Sequence, residues 1–270
     1  MRSLRSVLTT VFTWVIVALF FFPILWMVFT AFKSEADAGS IPPKFVVDLT
    51  LQQFEAVFNR GMGFYLMNST IASVGSTLIV LGLAIPAAYG LSIRPIKKVQ
   101  DVLFFFISTR FMPVAAIILP IFLILKTIGG LDSIFSLVLL YTAVNLPIAI
   151  WMMRSFFSEV PLEIIEAAQI DGANLRTELV RVVLPIVLPG IAAVALISFI
   201  FAWNEYFLAT LITTVNARTT PPFLVSFVDG RGQFLAVLSA ASTLAVLPVI
   251  IAGWAAQKQL VRGLAMGAVK

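Results

Sequence analysis

A few polar side chains stand where polar groups are rare. Arg110 and Glu205 each lie well inside a long apolar run, with Asn204 and Tyr206 flanking Glu205 and Asn145 inside another run. Ionisable groups at membrane depth are expensive and are functional candidates by default. Amides and carboxylates can bond the hydroxyls of a polar ligand, and the Tyr206 ring offers an apolar face for stacking. Two readings stand for Arg110 and Glu205: they face a transport path and pair with each other there, or each snorkels or bonds a neighbouring helix. Asn145 either bonds the carbonyl freed by Pro147 or reaches a cargo hydroxyl, and Tyr206 alternatively packs or faces lipid. A second group is acidic and lies between two apolar runs: Glu163, Glu166 and Asp171, with Ala167, Ala168 and Gly172 among them. The chain has no His and no Cys. It therefore lacks the commonest general base, a thiolate nucleophile and the commonest transition-metal ligands. No Gly-x-x-x-x-Gly-Lys-Ser/Thr phosphate loop occurs. These residues suit binding rather than bond-making.

The elements that must position them are membrane spans. Of 270 residues, 60% are apolar and 11% charged, against about 25% charged in a soluble domain. That composition excludes a soluble globular enzyme and a disordered chain. The apolar residues gather into six runs, at about 7–32, 65–93, 102–125, 133–153, 187–211 and 234–257. Each is long enough for a helix to cross a hydrocarbon core, which takes about 20 residues. None alternates like a membrane β-strand, and a spanning helix satisfies its own backbone. The first run is too long for a signal-peptide core and reads as a retained helix. Prolines 23, 86, 113, 120, 147 and 248 interrupt the runs, as hinges or as static bends.

Orientation follows from Lys and Arg. With the N-terminus inside, eleven basic residues fall on inside segments and six on outside loops, with Arg110 in a span. That bias places both termini in the cytoplasm. The net charge of +5 then speaks of topology rather than of nucleic acid. The two longest stretches between spans are 33–64, an outer cap, and about 154–186, an inner loop. In the inner loop, Pro161 suits a helix start, Glu163 the positive end of its dipole, and Gly172 its C-terminal stop. The spacing predicts a helix of about ten residues, with Glu163, Glu166 and Ile170 on one face and the small Ala167-Ala168 pair allowing close approach. Asn174 caps a second helix that carries Arg176, Glu178 and Arg181 toward the fifth span.

Glu166-Ala167-Ala168, three residues, Gly172, nine residues, Val182, one residue and Leu184-Pro185 follow one another in that loop. This stretch resembles the EAA loop of ABC importer permeases, with Val182 where Ile is commoner. The likeness runs along nearly the whole chain. Asn68-Ser69-Thr70, Ala87-Ala88-Tyr89-Gly90-Leu91, Asp171-Gly172-Ala173, Trp203-Asn204-Glu205-Tyr206 and the ending 261–270 look like the carbohydrate-uptake branch, the maltose-type inner-membrane permeases. More narrowly, Ser108-Thr109-Arg110-Phe111-Met112-Pro113 and Gln257–Arg262 look like permeases for sugar alcohols such as mannitol or sorbitol.

The resemblance implies an all-α polytopic membrane protein: six transmembrane helices in one permease domain over 1–270, of the type I importer fold, with a cytoplasmic coupling helix. It implies the permease subunit of an ATP-driven importer of a sugar or sugar alcohol, working by alternating access in a bacterial inner membrane, and not an enzyme. The partners implied are a second homologous permease chain, two copies of an ABC ATPase, an extracytoplasmic substrate-binding protein and membrane lipid, with no nucleic acid. This chain binds no cofactor of its own; ATP and Mg sit on the partner ATPase. Glu163, Glu166, Ala167, Ala168, Asp171 and Gly172 are the ATPase-coupling candidates. Arg110, Asn145, Asn204, Glu205 and Tyr206 are the transport-path candidates. Gly263, Gly267 and Lys270, in the terminal signature, either touch the ATPases or belong to a frayed end. The alternative class is a secondary transporter driven by an ion gradient, which also carries polar residues at the midplane but works without an ATPase.

Overall fold

The computed structural model describes residues 4–94, 97–228 and 234–267. Every regular element among them is helical: α1 Leu4–Thr30, α2 Glu35–Ala38, α3 Gln52–Asn59, α4 Met62–Ser92, α5 Val99–Arg110, α6 Val114–Thr127, α7 Ile134–Phe157, α8 Leu162–Ile170, α9 Leu175–Thr177, α10 Leu184–Trp203, α11 Phe207–Ile212, α12 Thr220–Val225 and α13 Leu235–Gly267, with a π-helical segment Glu178–Val183 between α9 and α10. Five helical stretches are long and apolar enough to cross a membrane: Ser6–Thr30, Met62–Ser92, Ile134–Phe157, Leu175–Trp203 and Leu235–Val261. They correspond to five of the six apolar runs.

The third run differs. It is not one helix but two, α5 and α6, broken at Phe111-Met112-Pro113. Pro113 has no N–H to donate and disfavours the helical conformation at Met112. Its own backbone is extended, with φ −61° and ψ 120°. The other prolines named above lie inside helices that continue through them. The fifth run is also shorter than its apolar length, because α10 ends at Trp203 and α11 begins only at Phe207. The helix of the sixth run, α13, continues about ten residues past the apolar stretch, to Gly267.

The chain divides into two compact units, Met1–Tyr65 with Pro222–Leu247, and Leu66–Pro221 with Pro248–Lys270. In the first unit the apolar window of α1 buries nothing against the rest of the chain, as befits a helix whose solvent is lipid. Past its end, Lys33 is buried, its Nζ donating to the Lys44 carbonyl at 2.7 Å. The ammonium sits 4.2 Å from the Trp26 ring centroid and 4.3 Å from that of Phe29, so aromatic faces replace much of its hydration. The Glu35 carboxylate accepts from the N–H groups of Ala236 and Val237. It satisfies orphan donors at the start of α13 and complements that helix's dipole.

The second unit holds the remaining candidate residues. One core joins α4, α7, α8 and α10 through Val80, Ala84, Ala88, Met153, Phe157, Ile165, Val183 and Val187. Gly190 lets α10 lie close to α7: a Cβ there would meet the Phe156 ring at 2.3 Å, which no side chain tolerates without a shift. A second core gathers Ala72, Leu137, Tyr141, Ala202, Leu208 and Ile212. The 213–219 segment is held by side chains distant in sequence. Asn68 Nδ2 donates to the carbonyls of Asn216 and Arg218, and Ser69 bonds Thr220. The Asp132 carboxylate accepts from the N–H groups of Thr214, Val215, Asn216 and Ala217 and from Asn216 Nδ2. Burial pushes its pKa up, but those backbone donors outweigh that, led by Asn216 and Thr214, and hold it well below the usual carboxylate range.

Candidate functional site

The inner loop folds as its spacing predicts. Pro161 precedes α8, and Gly172 closes it at φ +80°, a conformation that favours residues without a Cβ. The N–H of Ala173 reaches the Ala168 carbonyl at 2.9 Å and that of Gly172 the Gln169 carbonyl at 3.0 Å. This is the Schellman pattern, which satisfies the last carbonyls of the helix. The Asn174 side chain then accepts from the N–H of Thr177 at 2.9 Å, capping the next helical stretch. That stretch passes through the π segment into α10 without a break, so Leu175–Trp203 is one run of helical residues.

The two faces of α8 differ. Ile165 and Ala168 point inward and are buried, Ile165 in the core with Phe157 and Val183. Glu163, Glu166, Ala167, Ile170, Asp171 and Gly172 are exposed, and Ile170 is 86% exposed. Ala168 thus helps to seat α8 on the rest of the unit, and the open face is carried by the others.

Two helix breaks meet around a cavity of about 200 Å³ lined by Arg110, Tyr141, Val144, Asn145, Phe201, Ala202 and Glu205. Arg110 is the last residue of α5, and Glu205 lies in the break between α10 and α11. Arg110 Nη1 donates to the Val144 carbonyl at 2.9 Å, and its guanidinium lies 5.9 Å from the Phe201 ring centroid. Glu205 Oε1 accepts the Leu208 N–H at 2.7 Å, in the manner of an N-cap. The two charges thus share one cavity without an ion pair between them. Asn145 is 3% exposed. Among the described residues its amide has no hydrogen-bond partner, so the bond to a carbonyl freed by Pro147 is not made. Its donors and acceptor remain available to whatever enters. Asn204 instead bonds back to the Ile200 carbonyl at 2.8 Å, ending α10. Neither it nor Tyr206, which is exposed, lines the cavity. Of the C-terminal candidates, Gly263 and Gly267 fall in the last turns of α13, and Lys270 lies outside the described residues.

One carboxylate escaped the sequence reading. Glu178, at the start of the π segment, is fully buried. It accepts hydrogen bonds from the Tyr89 hydroxyl, from Arg94 Nη2 at 2.9 Å and from Gln169 Nε2 at 3.1 Å. Nothing local marks it, since an acid between Arg176 and Arg181 reads as a solvated charge on a helix.

Residues 80–265 match the family described as the binding-protein-dependent transport system inner membrane component. The chain belongs to that family. It is a multi-pass ABC importer permease, a subunit that is not itself an enzyme and whose ATPase is a separate chain. The permease is 36% identical over its whole length, and over 97% of the relative's, to a probable ABC transporter permease protein, y4oR, of Sinorhizobium fredii. It is 31% identical, over 92% of this chain and 91% of the other, to the trehalose/maltose transport system permease protein MalG of Thermococcus litoralis. Its fold is also that of a solved chain from a bacterial ABC transporter involved in the import of the acidic polysaccharide alginate: TM-score 0.77 at 23% identity, covering 96% of this permease and 98% of that chain.

Proposed function

We propose that this permease moves a carbohydrate, a sugar or sugar alcohol, into the cell by alternating access, and that α8 couples it to ATP hydrolysis on a separate ATPase. The observation that carries the coupling is the construction of α8. It is a short helix closed at Gly172, seated through Ile165 and Ala168, and it leaves Glu163, Glu166, Ala167 and Ile170 open to another surface. A helix so fixed passes a rigid-body push to the helices beneath it, and Glu166 offers a carboxylate to a basic group on the partner. Carbohydrate cargo is supported by relatives named for trehalose and maltose, diacetylchitobiose and sulfoquinovosyl glycerol. The cavity supplies matching chemistry: a buried Asn145 amide, a guanidinium and a carboxylate line it together.

The working complex in this reading holds a second homologous permease chain, two ATPase copies carrying ATP and Mg, and an extracytoplasmic binding protein. It sits in a bacterial inner membrane with both termini of this chain in the cytoplasm. The chain itself holds no cofactor. Expression with its genomic neighbours, solubilisation and purification tests this directly. An ATPase should copurify in fixed ratio, and Glu166→Lys should release it while the second permease chain stays bound. An ATPase retained in full by Glu166→Lys would remove α8 as the docking element.

A further inference from the structure

Glu178 is an expensive residue to bury. Taking a carboxylate out of water costs more than an ordinary hydrogen bond returns, and well-packed apolar groups often serve stability as well or better. Here both oxygens are used by donors from separate parts of the second unit: Tyr89 on α4, Arg94 just past α4, and Gln169 on α8. Tyr89 is itself buried and packs edge-on against Phe157 at the end of α7, 6.3 Å between centroids. Beside it, Ser92 donates to the Arg154 carbonyl of α7. Glu178 opens a π-helical segment, an irregularity frequent at functional sites. From there the helical run continues to Trp203, roughly 40 Å at 1.5 Å per residue. The cavity residue Glu205 stands just beyond that end.

We propose that Glu178 is a positioning residue, the hub that makes α8, the inner end of α4 and the Leu175–Trp203 run move as one body, so that displacement of α8 reaches the cavity wall. The hub rests on the coupling reading of α8 above, and it adds the path by which motion leaves α8. Gln169 carries the link from α8, and Tyr89 and Arg94 carry it to α4. Loss of one donor leaves the carboxylate buried and under-satisfied, and the three elements then shift separately.

This chain has no Cys, so cysteines introduced in pairs are its only thiols, and the partner chains are used with their own cysteines replaced. In the purified complex with its ATPase, spin labels at Leu162→Cys, exposed at the start of α8, and at Leu83→Cys on α4 report the distance across the hub. Labels at Leu162→Cys and Ile128→Cys, past the end of α6, report movement of α8 itself. ATP with vanadate is the probe. The Leu162–Ile128 distance should change by about 2 Å or more, the scale of helix shifts at moving interfaces, while the Leu162–Leu83 distance stays constant. In Glu178→Gln and in Tyr89→Phe the Leu162–Leu83 distance should become nucleotide-dependent. Where Glu178→Gln does not assemble, Tyr89→Phe and Gln169→Leu carry the comparison. If α8 moves and the Leu162–Leu83 distance stays constant in these variants, or already varies without them, the hub is overturned and the coupling reading stands. An α8 that does not move in a complex hydrolysing ATP overturns the coupling reading, and the hub with it.

Discussion

At the scale of single residues, the informative side chains are those whose environment departs from their chemistry. Arg110 and Glu205 were legible because charge inside an apolar run is anomalous in any sequence, and both line the cavity. Whether the two pair was not legible, because pairing depends on rotamers; in the structure each charge has a backbone partner instead. Asp132 gave no sequence signal at all: its donors lie more than eighty positions away. Its carboxylate is worth about 1.5–3 kcal/mol to the 213–217 segment, the range of hydrogen bonds to a charged group. Because its folded pKa is depressed, this contribution is complete above the unfolded value near 3.9 and drains as pH falls from there toward the folded value. Hydrogen exchange of the Thr214–Ala217 amides, corrected for intrinsic rates, should therefore be flat from about pH 7 to 5 and rise only below about pH 4. Asp132→Ala should raise exchange roughly tenfold or more at pH 7 and abolish that acid dependence.

At the scale of elements, apolar length located the helices and polar chemistry bounded them unevenly. Five runs became long helices, while the third split at Phe111-Met112-Pro113 and the fifth stopped at Trp203. A hydropathy window averages over both breaks, since long apolar stretches flank each; Pro113 signals the first, but prolines 86, 147 and 248 sit inside continuous helices. The end of α8 was legible because one glycine does a specific job. No atom lies within 4 Å of a Cβ built on Gly172, so a substitution there is penalised by the positive φ alone. Gly172→Ala should destabilise the closing turn by about 1–2 kcal/mol, and Gly172→Asn by less, since Asn tolerates that conformation. Exchange of the Gly172 and Ala173 amides in each variant gives the ordering. Equal effects of Ala and Asn would remove the left-handed turn as the reason for glycine.

At the scale of the whole molecule, scarcity of charge is the organising fact. Only 11% of residues are charged, and those with structural work are held by partners that no local pattern predicts: Lys33 against Trp26 and Phe29, Glu35 at the start of α13, Asp132 on the 214–217 amides, and Glu178 among Tyr89, Arg94 and Gln169. The open face of α8 and the cavity between the two helix breaks are features of a subunit whose energy source lies in another chain. Reconstitution of the purified complex into proteoliposomes with its binding protein, and uptake of a panel of radiolabelled trehalose, maltose and mannitol with and without ATP inside, tests that most directly. The expected result is uptake of at least one of these only with ATP, falling at least tenfold in Glu166→Lys. Uptake by this chain alone, without ATP and driven by an imposed ion gradient, would contradict it.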